Sequence, residues 1–196
     1  MSRRRVMRLT ADHVARVHRA IPDPGPQNHP GHRAPTDADF AAAVTGMLAT
    51  RPPGPLWLFG YGSLLWKPET AFEETRMATA LGWHRRFCIG NELRYRGNPE
   101  QPGVMMALDR GGSCNGMIYR LPEKGLAAEL DRLVRREQST VPATFPWRWI
   151  DVIDADGAKL RVLVFAMNRR SPRYVGHLSD EDVADLLSVA CGFRGS

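Results

Sequence analysis

The sequence predicts an α+β fold, a small β-barrel or curled sheet with helices on its flanks. Three observations carry that prediction. From Leu56 onward the chain offers seven short segments of strand length, at 56–61, 76–81, 83–89, 103–108, 114–121, 147–154 and 160–167. One strong helical pattern, over 123–138, lies among them. Two capped helical patterns, at 36–51 and 180–191, stand on either side.

Taken in order, residues 1–35 read as an N-terminal arm. Thr10 is placed to cap a short helix to about Ala20, with His13, Val14, Val17 and His18 as a weak apolar face. The run from Pro22-Asp23-Pro24-Gly25-Pro26 to Pro35 excludes regular structure and reads as a strap. Thr36 with Asp39 then forms a capping-box start, followed by Phe40, Val44, Met47 and Leu48 at helical spacing. Arg51-Pro52-Pro53-Gly54-Pro55 ends that helix. Pro122 opens the central helix, and Asp156-Gly157 marks a hairpin between the last two strands. Ser179 with Asp182 opens the final helix, which carries Val183, Leu186, Leu187 and Ala190 on one side.

The totals narrow the function classes. The chain has 196 residues, 43% hydrophobic and 24% charged, an ordinary globular balance. Its net charge of +6 is scattered over Arg3-Arg4-Arg5, Arg85-Arg86, Arg135-Arg136 and Arg169-Arg170, with no basic block and no aromatic interleaving. Nucleic acid is therefore not expected as a partner. Three distant cysteines, Cys88, Cys114 and Cys191, argue against a disulfide framework or a zinc site and point to a reducing, cytoplasmic setting. No apolar run approaches the roughly 18 residues of a membrane helix, so no membrane association is expected. The six histidines are spread out, without metal-ligand spacing, and no metal is expected.

Two features carry chemistry. In Trp57-Leu58-Phe59-Gly60-Tyr61-Gly62-Ser63-Leu64-Leu65-Trp66, an apolar strand runs into two glycines around a tyrosine, then a serine. Glycine permits positive φ and close approach of a ligand to the backbone, and successive N–H groups in such a turn can cradle an anion. A tight turn between core strands accounts for the same pattern, and both readings stand. Ser63 lacks the context of a nucleophile elbow and reads as a hydrogen-bonding hydroxyl. Cys88 and Cys114 fall in strands and read as inert core residues.

The second feature is Glu137. The central helix carries an apolar stripe at Leu126, Leu130, Leu133 and Val134, and one further step of four from Leu133 lands on Glu137. Glu129 and Asp131 lie off the stripe and are expected in solvent. A carboxylate aimed inward must be paired, hydrogen-bonded or protonated. It is either a buried ion pair, with Arg135, Arg136 or Arg96 as partner, or a general acid/base whose pKa rises through desolvation.

Together the motifs resemble the ChaC-like family of γ-glutamylcyclotransferases. Leu58-Phe59-Gly60-Tyr61-Gly62-Ser63-Leu64 is similar to its FGYGSL signature, and Gly82-Trp83-His84-Arg85-Arg86-Phe87-Cys88 to its GxxRRFC strand. Arg96-Gly97-Asn98-Pro99-Glu100 with Pro102-Gly103, then Cys114-Asn115-Gly116 and Arg136-Glu137, follow in the family's order. Ser171-Pro172-Arg173-Tyr174 and the ending Cys191-Gly192-Phe193-Arg194-Gly195-Ser196 also fit.

The resemblance implies a γ-glutamylcyclotransferase-like small mixed β-barrel with flanking helices over 36–196. It implies a cofactor-free cleavage of glutathione, or another γ-glutamyl compound, to 5-oxoproline. Glu137 is then the catalytic acid/base, and Tyr61, Gly62, Ser63 and Leu64 hold the γ-glutamyl group, with Arg96 as a carboxylate partner. Asn98 stands where the family has Thr, and Phe145 where relatives carry Tyr. Relatives continue for several dozen residues past the position of Ser196, so the domain reads as short at its C-terminus. These departures support the alternative of a weak or inactive binding module for a carboxylate ligand on the same barrel. The working unit is expected to be a monomer or homodimer.

Overall fold

The computed structural model describes Asp12, residues 21–27 and residues 29–195. The expected helix from Thr10 to Ala20 lies outside the described residues, Asp12 excepted. Two compact units are present. The larger spans Asn28–Ile89 and Met106–His177; the smaller gathers the described residues up to Gln27, then Gly90–Met105, and those from Leu178 onward.

The elements run α1 (Asp37–Ala49), β1 (Trp57–Gly60), α2 (Ser63–Trp66), β2 (Glu74–Glu92), β3 (Gly103–Arg120), α3 (Leu126–Glu137), β4 (Trp147–Asp154), β5 (Lys159–Phe165) and α4 (Asp180–Val189). The strands close into a barrel in the order β1-β3-β2-β4-β5. Strands β1 and β3, β2 and β4, and β4 and β5 pair antiparallel, and at the closure β1 runs parallel to β5 with Leu58 opposite Leu163.

Seven expected strands become five for a local reason. Segments 76–81 and 83–89 are one strand, with Gly82 at φ 77° inside it. Segments 103–108 and 114–121 are likewise one, with Gly111 and Gly112 at φ 114° and 61°. Left-handed glycines bend a strand without ending it. The barrel interior is filled by Trp57, Phe59, Ala80, Ile118, Ile150 and Val164 among others.

A second cluster lies on the outer face of the barrel. There Leu126, Leu130, Leu133 and Val134 of α3 meet Val44 and Met47 of α1 and Leu58, Leu163 and Phe165 of the wall. The capping box of α1 is formed as expected. The Asp39 N–H donates to Thr36 Oγ1 at 3.3 Å, and the Thr36 N–H donates back to the Asp39 carboxylate at 2.7 Å. Such a cap contributes roughly 1 kcal/mol. The central helix starts at Leu126, three residues later than expected, and stops at Glu137 because Gln138 is extended.

In the smaller unit, the Arg94 guanidinium pairs with Asp23 at 2.7 Å and lies over the Tyr95 and Phe193 rings. The Asn98 side chain accepts from the Glu100 and Gln101 N–H groups at 3.0 and 2.9 Å and donates to the Cys191 carbonyl at 3.0 Å. Asn98 thus organises its own turn. The capping box of α4, between Ser179 and Asp182, is also formed.

Candidate active site

Strand β1 delivers the glycine-rich turn to one end of the barrel. Its four residues are buried, and the chain leaves the sheet at Tyr61 to enter the single turn of α2. The two glycines do different work. A Cβ on Gly60 would sit 3.0 Å from the Tyr119 ring and 3.2 Å from the Leu64 Cβ, so the turn folds back most closely over a bare Cα. A Cβ on Gly62 would meet nothing within 4 Å. Neither uses positive φ; Gly62 has φ −133°. The conformational half of the glycine expectation is thus corrected, and the close-approach half is left. Gly116 is required by packing as well, since a Cβ there would lie 2.6 Å from the Phe59 ring and against the Gly60 carbonyl.

Tyr61 is held at both ends. Its phenol donates to the Phe165 carbonyl at 2.9 Å, and its own carbonyl accepts from Arg85 Nε at 2.6 Å. The same guanidinium donates to the Asn115 carbonyl at 2.6 Å, tying β3 to the turn. Burial, and then the Glu137 charge, push the Tyr61 phenol up, so it remains a donor at neutral pH. Leu64 anchors the turn in the outer core, and its carbonyl accepts from the Tyr119 hydroxyl at 3.0 Å. The Leu65 N–H closes on the Gly62 carbonyl at 2.9 Å, so the N–H groups before it have no intrahelical acceptor.

Glu137 is the last residue of α3, and its side chain is 20% exposed. Burial raises its carboxyl above the ordinary range; the Arg136 charge and hydrogen bond oppose that rise, and Glu69 adds to it. Of the three arginines considered as partners, Arg136 is at bonding distance, with Nε 3.2 Å from the carboxylate. Arg135 is engaged by Asp37 and Asp131. Arg136 also donates to Ser63 Oγ at 3.2 Å, to the Lys67 carbonyl at 2.7 Å and to Glu69 at 3.0 Å. One guanidinium therefore joins the helix end to the glycine-rich turn. Ser63 is an acceptor in this bond, as a hydrogen-bonding hydroxyl should be.

Arg96 belongs to the smaller unit, where its Nη1 donates to the Arg194 carbonyl at 2.9 Å. Phe145 packs on the outer cluster, and its carbonyl faces the Gln138 amide at 3.5 Å, next in the chain to Glu137. Cys88 and Cys114 are buried and free. Burial pushes the Cys88 thiol up to about 12, so the inert reading fits.

A further expectation is overturned. Glu129 is not in solvent: it is 7% exposed and accepts from Thr70 Oγ1 at 2.9 Å, the Ala71 N–H at 3.2 Å and Arg132. The helix stripe could not reveal it, because the segment after α2 covers that side of α3. Asp131 is half-buried and paired with Arg135 at 2.7 Å. The role of Arg85 at the turn was also missed; nothing in its spacing separates it from a surface arginine. Among the described residues, no group of three or more His, Cys, Asp or Glu side chains could hold a metal ion. No helix among them is long and apolar enough to cross a membrane.

Comparison with known proteins adds to this geometry. The sequence model of the family described as ChaC-like protein matches residues 56–196. The chain is 41% identical over 157 residues to the glutathione-specific gamma-glutamylcyclotransferase of Escherichia coli (strain K12), covering 80% of this chain and 67% of that protein. It is 31% identical over 150 residues to the glutathione-specific gamma-glutamylcyclotransferase 1 of Homo sapiens, covering 73% of this chain and 65% of that one. The chain thus spans about two thirds of the length of these relatives. Among solved structures, a glutathione-specific γ-glutamyl cyclotransferase from yeast matches with a TM-score of 0.62 at 18% identity, over 72% of this chain and 81% of that one. At that identity the likeness shows the fold.

Proposed function

The chain belongs to the ChaC-like family, and on that premise we propose that it is a γ-glutamylcyclotransferase cleaving glutathione to 5-oxoproline and Cys-Gly. The observation that carries the reading is Glu137: a largely covered carboxyl of raised pKa, tied through Arg136 to Ser63 of the glycine-rich turn.

The α-amine of the γ-glutamyl group attacks its own γ-carbonyl. A C–N bond forms, the C–N bond to the cysteine nitrogen breaks, and a five-membered lactam leaves. Glu137 enters as the carboxylate, takes a proton from the attacking amine and gives it to the departing nitrogen. One carboxyl of raised pKa serves both transfers. Attack within one molecule makes positioning the main task. The N–H groups at Gly62, Ser63 and Leu64 bind the α-carboxylate or polarise the reacting carbonyl, and the open space at Gly62 admits the ligand to the backbone. Arg96 is carried over from the family resemblance alone. The ligand is a small molecule, the working unit a monomer or homodimer. Three free buried cysteines fit a reducing compartment, and we place the activity in the cytoplasm.

The test is release of 5-oxoproline and Cys-Gly from glutathione. Glu137→Gln is expected to lower kcat by about 10²- to 10⁴-fold, the range of general acid–base catalysis, with its melting transition retained. Turnover equal to the parent's would end the acid/base assignment. Saturable glutathione binding with no product from the parent would establish the binding-module reading instead, which Phe145 in place of a tyrosine favours.

A further inference from the structure

We propose that Arg148 binds a second anionic group of the ligand, the carboxylate at the far end of a γ-glutamyl peptide, and so selects dicarboxylate substrates such as glutathione over their amides. The inference rests on the reading of the site just given.

Strand β4 alternates. Trp147 and Trp149 pack outward against the cluster with α1 and α3, whereas Ile150 and Val152 face the barrel interior. Period-two counting puts Arg148 on the interior face with them. It pairs with Val164 of β5, one step from the Trp147–Phe165 pair. The Phe165 carbonyl is the acceptor of the Tyr61 phenol. Arg148 therefore stands at the end of the barrel to which β1 delivers the glycine-rich turn.

Its Nε is buried with no hydrogen-bond partner, and no carboxylate pairs with it among the described residues. Several other arginines of the unit are paired with carboxylates: Arg76 with Glu74 and Asp154, Arg169 with Asp109, Arg136 with Glu137 and Glu69. Near Arg148 the further charge is positive. Arg110, stacked 4.8 Å from the Trp83 ring centroid, opposes its protonation, as burial does more strongly. An unpaired guanidinium in a half-buried place costs stability. A bound carboxylate would offset that cost with two parallel N–H···O bonds. The α-carboxylate is common to every γ-glutamyl compound, so a cation reserved for the far carboxylate is the one that confers selection.

The test compares glutathione with γ-glutamylcysteinylglycinamide in the full chain and in Arg148→Met and Arg148→Lys. The parent is expected to prefer glutathione. Arg148→Met should raise KM for glutathione by about tenfold or more, the scale of a charge-assisted hydrogen-bond pair, leave kcat nearly unchanged, and leave the amide unaffected; Arg148→Lys should recover part of the loss. Arg148→Met should melt no lower than the parent, since an unpaired charge is removed. Equal handling of both compounds by the parent, an equal loss on both in the variant, or a clearly lower melting temperature would each overturn the inference. Should the parent release no 5-oxoproline, tryptophan-fluorescence titration of the two compounds still decides: tighter glutathione binding that Arg148→Met abolishes supports the role, and equal binding refutes it.

Discussion

Replacing Arg136 with Gln tests the link between the helix end and the turn. The guanidinium is 22% exposed and lies 3.2 Å from the Glu137 carboxylate. At an effective dielectric of about 20 the bare attraction at that distance is about 5 kcal/mol, most of it offset by desolvation of the two charges. Hydrogen bonds to charged groups contribute about 1.5–3 kcal/mol net. For a chain of this length that range corresponds to a loss of about 3–12 °C in melting temperature.

The same change moves the pH profile, and its sign is fixed. Burial raises the Glu137 carboxyl and Arg136 holds it down. Without Arg136 the carboxyl protonates at higher pH. A general base works only when ionised, so the acidic limb of kcat/KM shifts upward in pH in Arg136→Gln. Thermal melts and the pH dependence of 5-oxoproline release measure both effects. An unchanged melting temperature together with a limb that stays in place or moves to lower pH would refute the reasoning.

Three further outcomes follow from the site and its supports. Gly62→Ala should melt like the parent but bind glutathione more weakly, because its methyl enters the space proposed for the ligand; KM against melting temperature reads this. Gly116→Ala should lose about 1–3 kcal/mol or more through overpacking against Phe59 and the Gly60 carbonyl, seen as a lower denaturation midpoint. Burial tends to raise the Glu129 carboxyl, but Arg132, Thr70 and the Ala71 N–H outweigh it and hold it low. The stability it contributes is present above the unfolded carboxylate range and is lost as pH falls through the lowered folded value. Glu129→Gln should therefore flatten the decline in melting temperature on acidification below about pH 4.5.

Much of this was legible in the chain, and the gaps have physical causes. Strand β4 coincides with the expected 147–154, and both Ser/Thr capping boxes form, because period-two patterns and caps are local. Glu137 was reached by counting along the stripe of α3. The same counting failed at Glu129, whose burial comes from a segment about sixty residues earlier in the chain. Gly82, Gly111 and Gly112 read as breaks, yet strands β2 and β3 continue through them, held by pairing that no local pattern records. Arg85 gave no local sign. Arg148 did: its inward register follows from Ile150 and Val152, and only the closed barrel makes an inward arginine exceptional.

The two-ended anchoring of Tyr61 bears on how a ligand reaches the site. A turn whose phenol and carbonyl are both bonded, one to β5 and the other through Arg85 to β3, does not work as a lid. On the proposed reading, a ligand arriving there meets a cradle already assembled. Little chain entropy is then lost on binding, and affinity draws on preorganisation rather than on closure. Substitutions that loosen Arg85 would accordingly act first on the rate of ligand escape, before any chemical step is touched.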